Sequence, residues 1–341
     1  MSKIPVGILG ATGAVGQTYV KLLESHPFFE IALLSASTRW EGSSYREALQ
    51  GRFRESFAEE TLERRLQPMQ ALPIIFSALG NEDAEKVEEG FAAQGSAVFS
   101  HASIHRTASD IPMIIPEINP GHFSLIAVQQ KNRQWNRGFI VVKPNCTLQS
   151  FLLPLFPLHQ AFGLKQALVT TMQSTSGAGG SFELERNIIP HIKGEEEKSE
   201  SEPLKILGKI HEGKVVPATE IVFSSHCNRV PVCHGHLACV SASFEKPLDE
   251  ESIRSIWDSF SGLSLPSSPK KPLHYFEDCD RPQPLLDGYL EGGMSIAIGR
   301  LRKCSIFDVR FTGLSHNLIR GAAGGSILCA ELAYQKGLIH G

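Results

Sequence analysis

Little in this chain of 341 residues is in excess. Lys and Arg number 33 against 36 Asp and Glu, a net charge of -3 at pH 7. That balance offers no electrostatic footing on nucleic acid or on an anionic membrane surface. No apolar run approaches the ~18 residues of a transmembrane helix. The 7 cysteines are odd in number and scattered, which argues against a disulfide framework and for a reducing compartment. There is no internal repeat and no low-complexity tract. Met1-Ser2-Lys3 leads straight into strand-like residues without a signal-peptide pattern, so the cytoplasm is the expected location. What remains is an ordinary globular composition, 42% hydrophobic and 20% charged, in a chain long enough for two domains.

The first 140 or so residues alternate strand-like and helix-like patterns, as a parallel sheet with crossover helices requires. Strands are expected at Val6 to Leu9, Ile31 to Ala36, Leu72 to Ala78, Ala97 to Ser100 and Ile140 to Val142. Val15 to Ser25 has helical apolar spacing, and Asn81-Glu82-Asp83 reads as a capped helix start. A second, more mixed sheet is expected from Leu168 to Gln173, Glu220 to Ser225, His236 to Phe244, Met294 to Leu301 and Ser305 to Thr312. The charged stretch from Gly194 to Pro203 separates two of these, and Asn317 to Lys336 reads as one final helix.

Gly10-Ala11-Thr12-Gly13-Ala14-Val15-Gly16 joins the first strand to the first helix. Glycines there let the backbone turn tightly and approach a pyrophosphate, which meets the free N–H groups of the helix N-terminus. An NAD site usually carries an acid at the end of the second strand. Here the segment is Ser35-Ala36-Ser37-Thr38-Arg39, with no acid before Glu41. Ser37 and Arg39 suit a 2′-phosphate, so NADP is the expected nucleotide.

Cys146 follows Phe139-Ile140-Val141-Val142-Lys143-Pro144-Asn145, and a helix-compatible pattern resumes at Leu148. A thiol at a strand-to-helix junction is placed to be activated by the helix dipole and a base. Arg229-Val230-Pro231-Val232-Cys233-His234-Gly235-His236 supplies two histidines, and local reasoning does not choose between them. His226, Cys227, Cys233, His234, His236 and Cys239 are dense in metal-ligating types, but their spacing lacks a zinc-site pair, so no metal is expected. Gln173-Ser174-Thr175-Ser176-Gly177-Ala178-Gly179-Gly180 is a second glycine-rich turn after a strand.

Taken together these segments resemble aspartate-semialdehyde dehydrogenase, in its archaeal and fungal branch. The resemblance spans the chain and rests on Gly10 to Gln17, Pro144-Asn145-Cys146-Thr147, Gln173 to Gly179, Arg229-Val230-Pro231-Val232 with Gly235-His236, Asp280-Arg281-Pro282-Gln283-Pro284 and Arg320-Gly321-Ala322-Ala323-Gly324. It implies an NADP-binding Rossmann-type domain over 1-144, an α+β catalytic and dimerisation domain over 145-314, and a C-terminal segment, 315-341, whose helix packs back on the first domain. It implies Cys146 as nucleophile, His236 rather than His234 as acid and base, and Gln173 orienting the acyl intermediate. Arg229 would clamp the substrate α-carboxylate, Arg106 and Lys198 the phosphate, and Glu195 the substrate amine. Gly10, Thr12, Gly13, Ala14, Val15, Gly16, Ser37, Arg39, Ser176, Gly177, Asn317 and Gly324 would line the cofactor site. The Asn145 side chain and the Cys146 N–H are the expected oxyanion donors.

The implied reaction is NADPH-dependent reductive dephosphorylation of 4-phospho-L-aspartate to L-aspartate 4-semialdehyde through a cysteine thioester. It serves the aspartate-family amino acids: lysine and diaminopimelate, threonine and methionine. Small molecules are the expected substrates, and the assembly a homodimer or homotetramer. The rivals are N-acetyl-γ-glutamyl-phosphate reductase, whose cysteine usually follows Gly; glyceraldehyde-phosphate dehydrogenase, which needs Ser-Cys-Thr-Thr; and a non-catalytic oligomeric scaffold, which needs none of these residues. Three positions depart from the family pattern: His101 in place of Asn, Ser44 in place of a basic residue, and Leu285 in place of Arg.

Overall fold

The computed structural model describes residues 2–50, 56–178, 184 and 186–339. The chain divides into two compact units: Met1–Pro144 with Ile210–Val215 and Ala322–Gly341, and Asn145–Lys209 with Val216–Gly321.

In the first unit the order is β1 (Ile4–Leu9), α1 (Ala14–Leu23), β2 (Phe29–Ser35), α2 (Tyr45–Leu49), α3 (Glu59–Glu63), β3 (Ile74–Ser77), α4 (Asn81–Ala93), β4 (Ala97–Ser100), α5 (Leu125–Arg133) and β5 (Phe139–Val142). The strands form one sheet in the order β2-β1-β3-β4-β5, every pair parallel. Every residue of β3, β4 and β5 is buried, which explains why they read as unbroken apolar runs rather than alternations. The helix after β3 starts differently from expectation. Gly80 is its N-cap and Asn81 its first residue. The Asn81 side chain turns instead to Ser103, accepting from its backbone N–H at 2.9 Å and donating to its hydroxyl at 2.8 Å. A tertiary partner has outcompeted the local cap.

The second unit contains α6 (Gln149–Phe162), β6 (Leu164–Gln173), α7 (Glu195–Leu207), β9 (Val222–Arg229), β10 (His236–Phe244), α8 (Glu250–Ser259), β11 (Leu273–Phe276), α9 (Pro284–Asp287), β12 (Ile296–Lys303) and β13 (Val309–Ser315). Between α7 and β9 a two-stranded ribbon pairs β7 (Lys209–His211) with β8 (Lys214–Val216). The main sheet has the order β11-β12-β13-β10-β6-β9. Its outer pairs are parallel and its inner pairs antiparallel, a mixed sheet as expected. Pro154 lies inside α6 and has no N–H to give the Ser150 carbonyl. Gly313 of β13 closes over that oxygen, where a Cβ would stand 2.0 Å away. The strand expected at 220–225 runs instead to Arg229, so that residue closes β9.

The charged stretch after Gly194 is α7, and its buried positions, Glu195, Ser199, Glu202, Pro203 and Ile206, share one face. The final helix is shorter than expected: a wide turn at Ile319–Ala323 precedes α10 (Gly324–Gln335). Gly324 through Ala333 are all buried, as in a helix apolar all round. Its one buried acid, Glu331, meets His26 at 2.7 Å within the first unit. Among the described residues no helix is long and apolar enough to cross a membrane.

Candidate active site

Cys146 opens a single 3-10 turn, Cys146–Leu148, that runs directly into α6. Asn145 is the N-cap of that turn, its side-chain Oδ1 accepting from the Thr147 N–H at 2.9 Å. The Asn145 amide, the expected oxyanion donor, has its NH2 directed at both oxygens of Glu195, each at 2.8 Å. The Asn145 backbone N–H is also taken, donating to the Glu202 carboxylate at 2.6 Å. Two acids from one face of α7 thus hold the residue before the thiol by side chain and main chain together. On the other side Gly321 lies so close that a Cβ there would meet the Cys146 Cβ at 2.8 Å. Cys146 itself is partly exposed, beside helix N-terminal dipoles that favour negative charge on sulfur.

Glu195 is a hub. Besides Asn145 it accepts from Gln173, at the end of β6, at 3.2 Å and from Lys198 at 3.0 Å. Burial alone would raise its pKa, but Lys198, Asn145 and Gln173 outweigh that and hold it below the ordinary carboxylate value. The residue is therefore a buried, ionised carboxylate, suited to meeting an ammonium group. Arg229 ends β9, is 6% exposed, and donates to the Ser174 carbonyl at 2.6 Å. Burial draws its guanidinium below the ordinary value, while Cys146 and Glu195 pull it back up. A guanidinium has five donors in a planar fork, so with one arm anchored it keeps a face for a carboxylate.

His236 begins β10 and is fully buried. Burial first, then the Arg229 cation, pushes its pKa down to about 3, against a smaller upward pull from Glu195. The ring is neutral at ordinary pH. Its Nδ1 accepts from the Ser174 backbone N–H at 3.1 Å, which places the hydrogen of a neutral imidazole on Nε2. Among the described residues the buried Nε2 has no hydrogen-bond partner. Gly177 stands over it: a Cβ there would lie 3.0 Å from Nε2 and 3.2 Å from an Arg229 nitrogen. The two histidines do not share a strand face, because Gly235 between them turns with φ +96°. His234 is half-buried and pairs with the Ser176 hydroxyl at 3.1 Å. Asn317 donates to the Ser176 hydroxyl at 2.9 Å and accepts from the Gly235 N–H at 2.9 Å. Of the second glycine-rich turn, Gly179 and Gly180 lie outside the described residues.

The glycine loop belongs to the first unit. Gly10 has φ +72°, and a Cβ on Gly16 would stand 2.1 Å from the Gly10 carbonyl, so neither position accepts a side chain. Gly13 caps α1 without any side-chain bond, which leaves the helix N–H groups to an anion. Thr12, Gly13, Ala14 and Val15 remain accessible. This is a cradle that fits a dinucleotide pyrophosphate. Ser37 and Arg39 are exposed just beyond β2, Arg39 lying 5.3 Å from the Trp40 ring centre. Ser44 caps α2 through a reciprocal pairing with Glu47, a structural task for the position where a base was expected. Arg106 donates to the His101 carbonyl at 3.0 Å. His101 meets the Tyr19 hydroxyl at 2.6 Å, and burial, with help from Lys143 and Arg106, pushes its pKa down to about 3. Gly324 opens α10 in this unit, whereas Ser176, Gly177 and Asn317 belong to the second.

Reasoning from sequence passed over Glu202, Ser174 and Gly321. Glu202 had a signal: it lies two helical turns beyond Glu195, on the same face. Ser174 had none, since a serine in a glycine-rich turn looks like any other.

Residues 5–126 match the semialdehyde dehydrogenase NAD binding domain, and residues 155–320 the semialdehyde dehydrogenase dimerisation domain. The chain is 43% identical to the aspartate-semialdehyde dehydrogenase of Archaeoglobus fulgidus, with 98% of this chain and 99% of that one covered. It is 38% identical to the Schizosaccharomyces pombe enzyme of the same name, again over 98% and 99%. Among solved structures, aspartate semialdehyde dehydrogenase with NADP from Candida albicans superposes with a TM-score of 0.89 at 35% identity, covering 99% and 100%. Aspartate semialdehyde dehydrogenase II of Vibrio cholerae complexed with ASA gives 0.78 at 25% identity, over 98% and 99%.

Proposed function

The chain belongs to the aspartate-semialdehyde dehydrogenase family, and from that premise we propose that it reduces 4-phospho-L-aspartate to L-aspartate 4-semialdehyde through a thioester on Cys146. The single observation that carries the reading is the convergence of Cys146, Arg229, Glu195 and His236 in one unit, from four separate stretches of chain.

Cys146 sulfur attacks the acyl carbon, the carbon–oxygen bond to phosphate breaks, and phosphate leaves. Arg229 grips the α-carboxylate and Glu195 the α-ammonium, so the substrate is held by both charges at its far end while its acyl carbon meets the thiol. Gln173 orients the acyl oxygen. NADP, when bound at Gly10 to Gly16 with Ser37 and Arg39 beside its 2′-phosphate, supplies hydride chemistry. His236 presents Nε2–H toward the reacting oxygen, and collapse of the carbon–sulfur bond releases the aldehyde and regenerates Cys146. Lys198 and Arg106 serve the phosphate, and Ser176, Gly177, Asn317 and Gly324 complete the nucleotide's surroundings. The product feeds synthesis of the aspartate-family amino acids, in the cytoplasm, by a homodimer formed through the second unit.

The deciding assay is phosphate-dependent reduction of NADP with L-aspartate 4-semialdehyde. Activity is the expected outcome. Inactivity there, with turnover of N-acetylglutamate 5-semialdehyde instead, would move the chain to the reductase acting on acetylated glutamate.

A further inference from the structure

Glu195 is to receive the substrate's ammonium group, yet its acceptor sites are already occupied. Oε1 accepts from the Asn145 amide at 2.8 Å and from Lys198 Nζ at 3.0 Å. Oε2 accepts from the same amide at 2.8 Å and from the Gln173 amide at 3.2 Å. A carboxylate has about four lone-pair sites, two on each oxygen, and these bonds fill them. An ammonium group that docks on Glu195 therefore displaces a donor.

The three donors are not equally easy to move. Asn145 is buried and fixed elsewhere, by Oδ1 accepting from the Thr147 N–H and by its own N–H donating to Glu202. Gln173 is buried at the end of β6, its carbonyl accepts from the Val230 N–H at 3.0 Å, and its amide also lies 3.4 Å from the Thr171 hydroxyl. Lys198 is different. It is half-buried on a long flexible stem, and among the described residues Glu195 is the partner of its Nζ. It also carries the charge of the newcomer. Two ammonium groups repel on a shared carboxylate, whereas the two amides are neutral.

We propose that Glu195 holds Lys198 in reserve and that the substrate's α-ammonium group displaces it, releasing the lysine to the phosphate. The proposal rests on the roles given to Glu195 and Lys198 under the functional reading above. One cation replaces another at the carboxylate, so the buried acid is never left without a positive partner, a state that is strongly unfavourable. The released ammonium finds a strong acceptor in the phosphate oxygens. The α-amine of the substrate thus acts twice: it holds the substrate at Glu195, and it sets the cation that meets the phosphate at the other end. A compound without that amine leaves Lys198 on Glu195, and its phosphate is met without the lysine. The coupling is reciprocal: phosphate that draws Lys198 away also favours an ammonium group on Glu195. Specificity for the amine is then expressed partly at the phosphate, not only in affinity at Glu195.

The test is a calorimetric titration of inorganic phosphate into the full enzyme, alone, with excess L-2-aminobutanoate, and with excess butanoate. The first compound carries both α-charges and no acyl group to react; the second lacks only the amine. L-2-aminobutanoate is expected to tighten phosphate roughly tenfold, within the span usual for coupled sites, and butanoate to leave it unchanged. In Lys198→Met the phosphate affinity is expected to be the same with and without L-2-aminobutanoate. The two additives compared on the natural enzyme test the displacement without any variant, so an unstable Lys198→Met does not remove the test. Phosphate affinity that is unmoved by L-2-aminobutanoate, moved equally by butanoate, or still moved in Lys198→Met overturns the displacement. A natural enzyme that reduces no NADP with L-aspartate 4-semialdehyde and phosphate overturns the functional reading instead, so the two failures are distinguishable.

Discussion

The two sites in this chain are built on opposite plans. The glycine loop presents main chain: Gly10 and Gly16 are defined by what they lack, and the N-terminus of α1 has no side-chain cap. The thiol site presents side chains drawn from distant stretches, and the acids of α7 hold the neighbour of Cys146 by its amide and its N–H. A main-chain site is contiguous in sequence because consecutive peptides make it. A side-chain site has no such constraint, and each of its members can look ordinary where it stands. In the first unit buried ionisable side chains meet in pairs drawn from distant stretches, as His26 and Glu331 do at 2.7 Å. In the second it is a network through Glu195 whose members depend on one another.

That contrast can be broken most directly at Cys146. Cys146→Ala is expected to lower turnover by roughly 10^4-fold or more, as loss of a nucleophile does, while NADP affinity measured by fluorescence titration stays put. Loss of nucleotide binding as well would mean that the two sites are not separable. His236→Asn comes next, with turnover down roughly 100- to 10,000-fold and substrate KM little affected. Because burial and Arg229 hold His236 near pH 3, the pH profile of the natural enzyme should show no loss of rate centred near 6.5, the ordinary imidazole value. A limb there that vanishes in His236→Asn would refute the neutral ring. At the main-chain site, Gly16→Ala forces a Cβ to within 2.1 Å of the Gly10 carbonyl, and a drop in both nucleotide affinity and melting temperature is expected. Unchanged affinity would leave the loop without its role. Arg39→Ala should weaken NADP by roughly tenfold, the order of one charge-assisted hydrogen bond, and NAD hardly at all. Equal losses for the two nucleotides would remove Arg39 from the 2′-phosphate.

The smallest effect concerns stability. His101 is half-buried, and loss of hydration there, with Lys143 and Arg106, holds it near pH 3, whereas in the unfolded chain it titrates near 6.5. Above that value both states are neutral and nothing is lost. As pH falls from there toward 3 the unfolded state alone takes up the proton, so stability declines by up to about 1.4 kcal/mol per pH unit. His101→Asn should flatten the fall of melting temperature over that window. A slope identical to that of the natural protein would mean that His101 is accessible after all.

How much of this was legible in advance follows the same division. The β1 to α1 junction reads directly from glycine spacing between a strand and a helix, and the structure has it at Gly10 to Gly16. The parallel sheet reads from its unbroken apolar runs. Element ends did not read as well: the strand closing at Arg229 ran past its expected end, and the last helix gave its first turn to Ile319–Ala323. Asn81 was misjudged as a cap because Ser103, far along the chain, offered its side chain a better partner. By local pattern the acids of α7 are those of any solvated helix face. Only the sheet packed against that helix shows that Glu195 and Glu202 point inward.

Sequence alone therefore determined what consecutive residues can specify: a parallel sheet, a glycine turn between its first strand and first helix, and a cysteine at a strand-to-helix junction. Period, glycine spacing and β-branched runs act over a few residues, and their physics is complete within them. Tertiary structure decided what depends on convergence: that the Asn145 amide meets Glu195, that Glu195 is ionised though buried, and that His236 is neutral and linked toward His234 by two hydroxyls. Charge state and hydrogen-bond direction depend on solvent exclusion and on neighbours across the fold, and neither exists until the chain has closed around them.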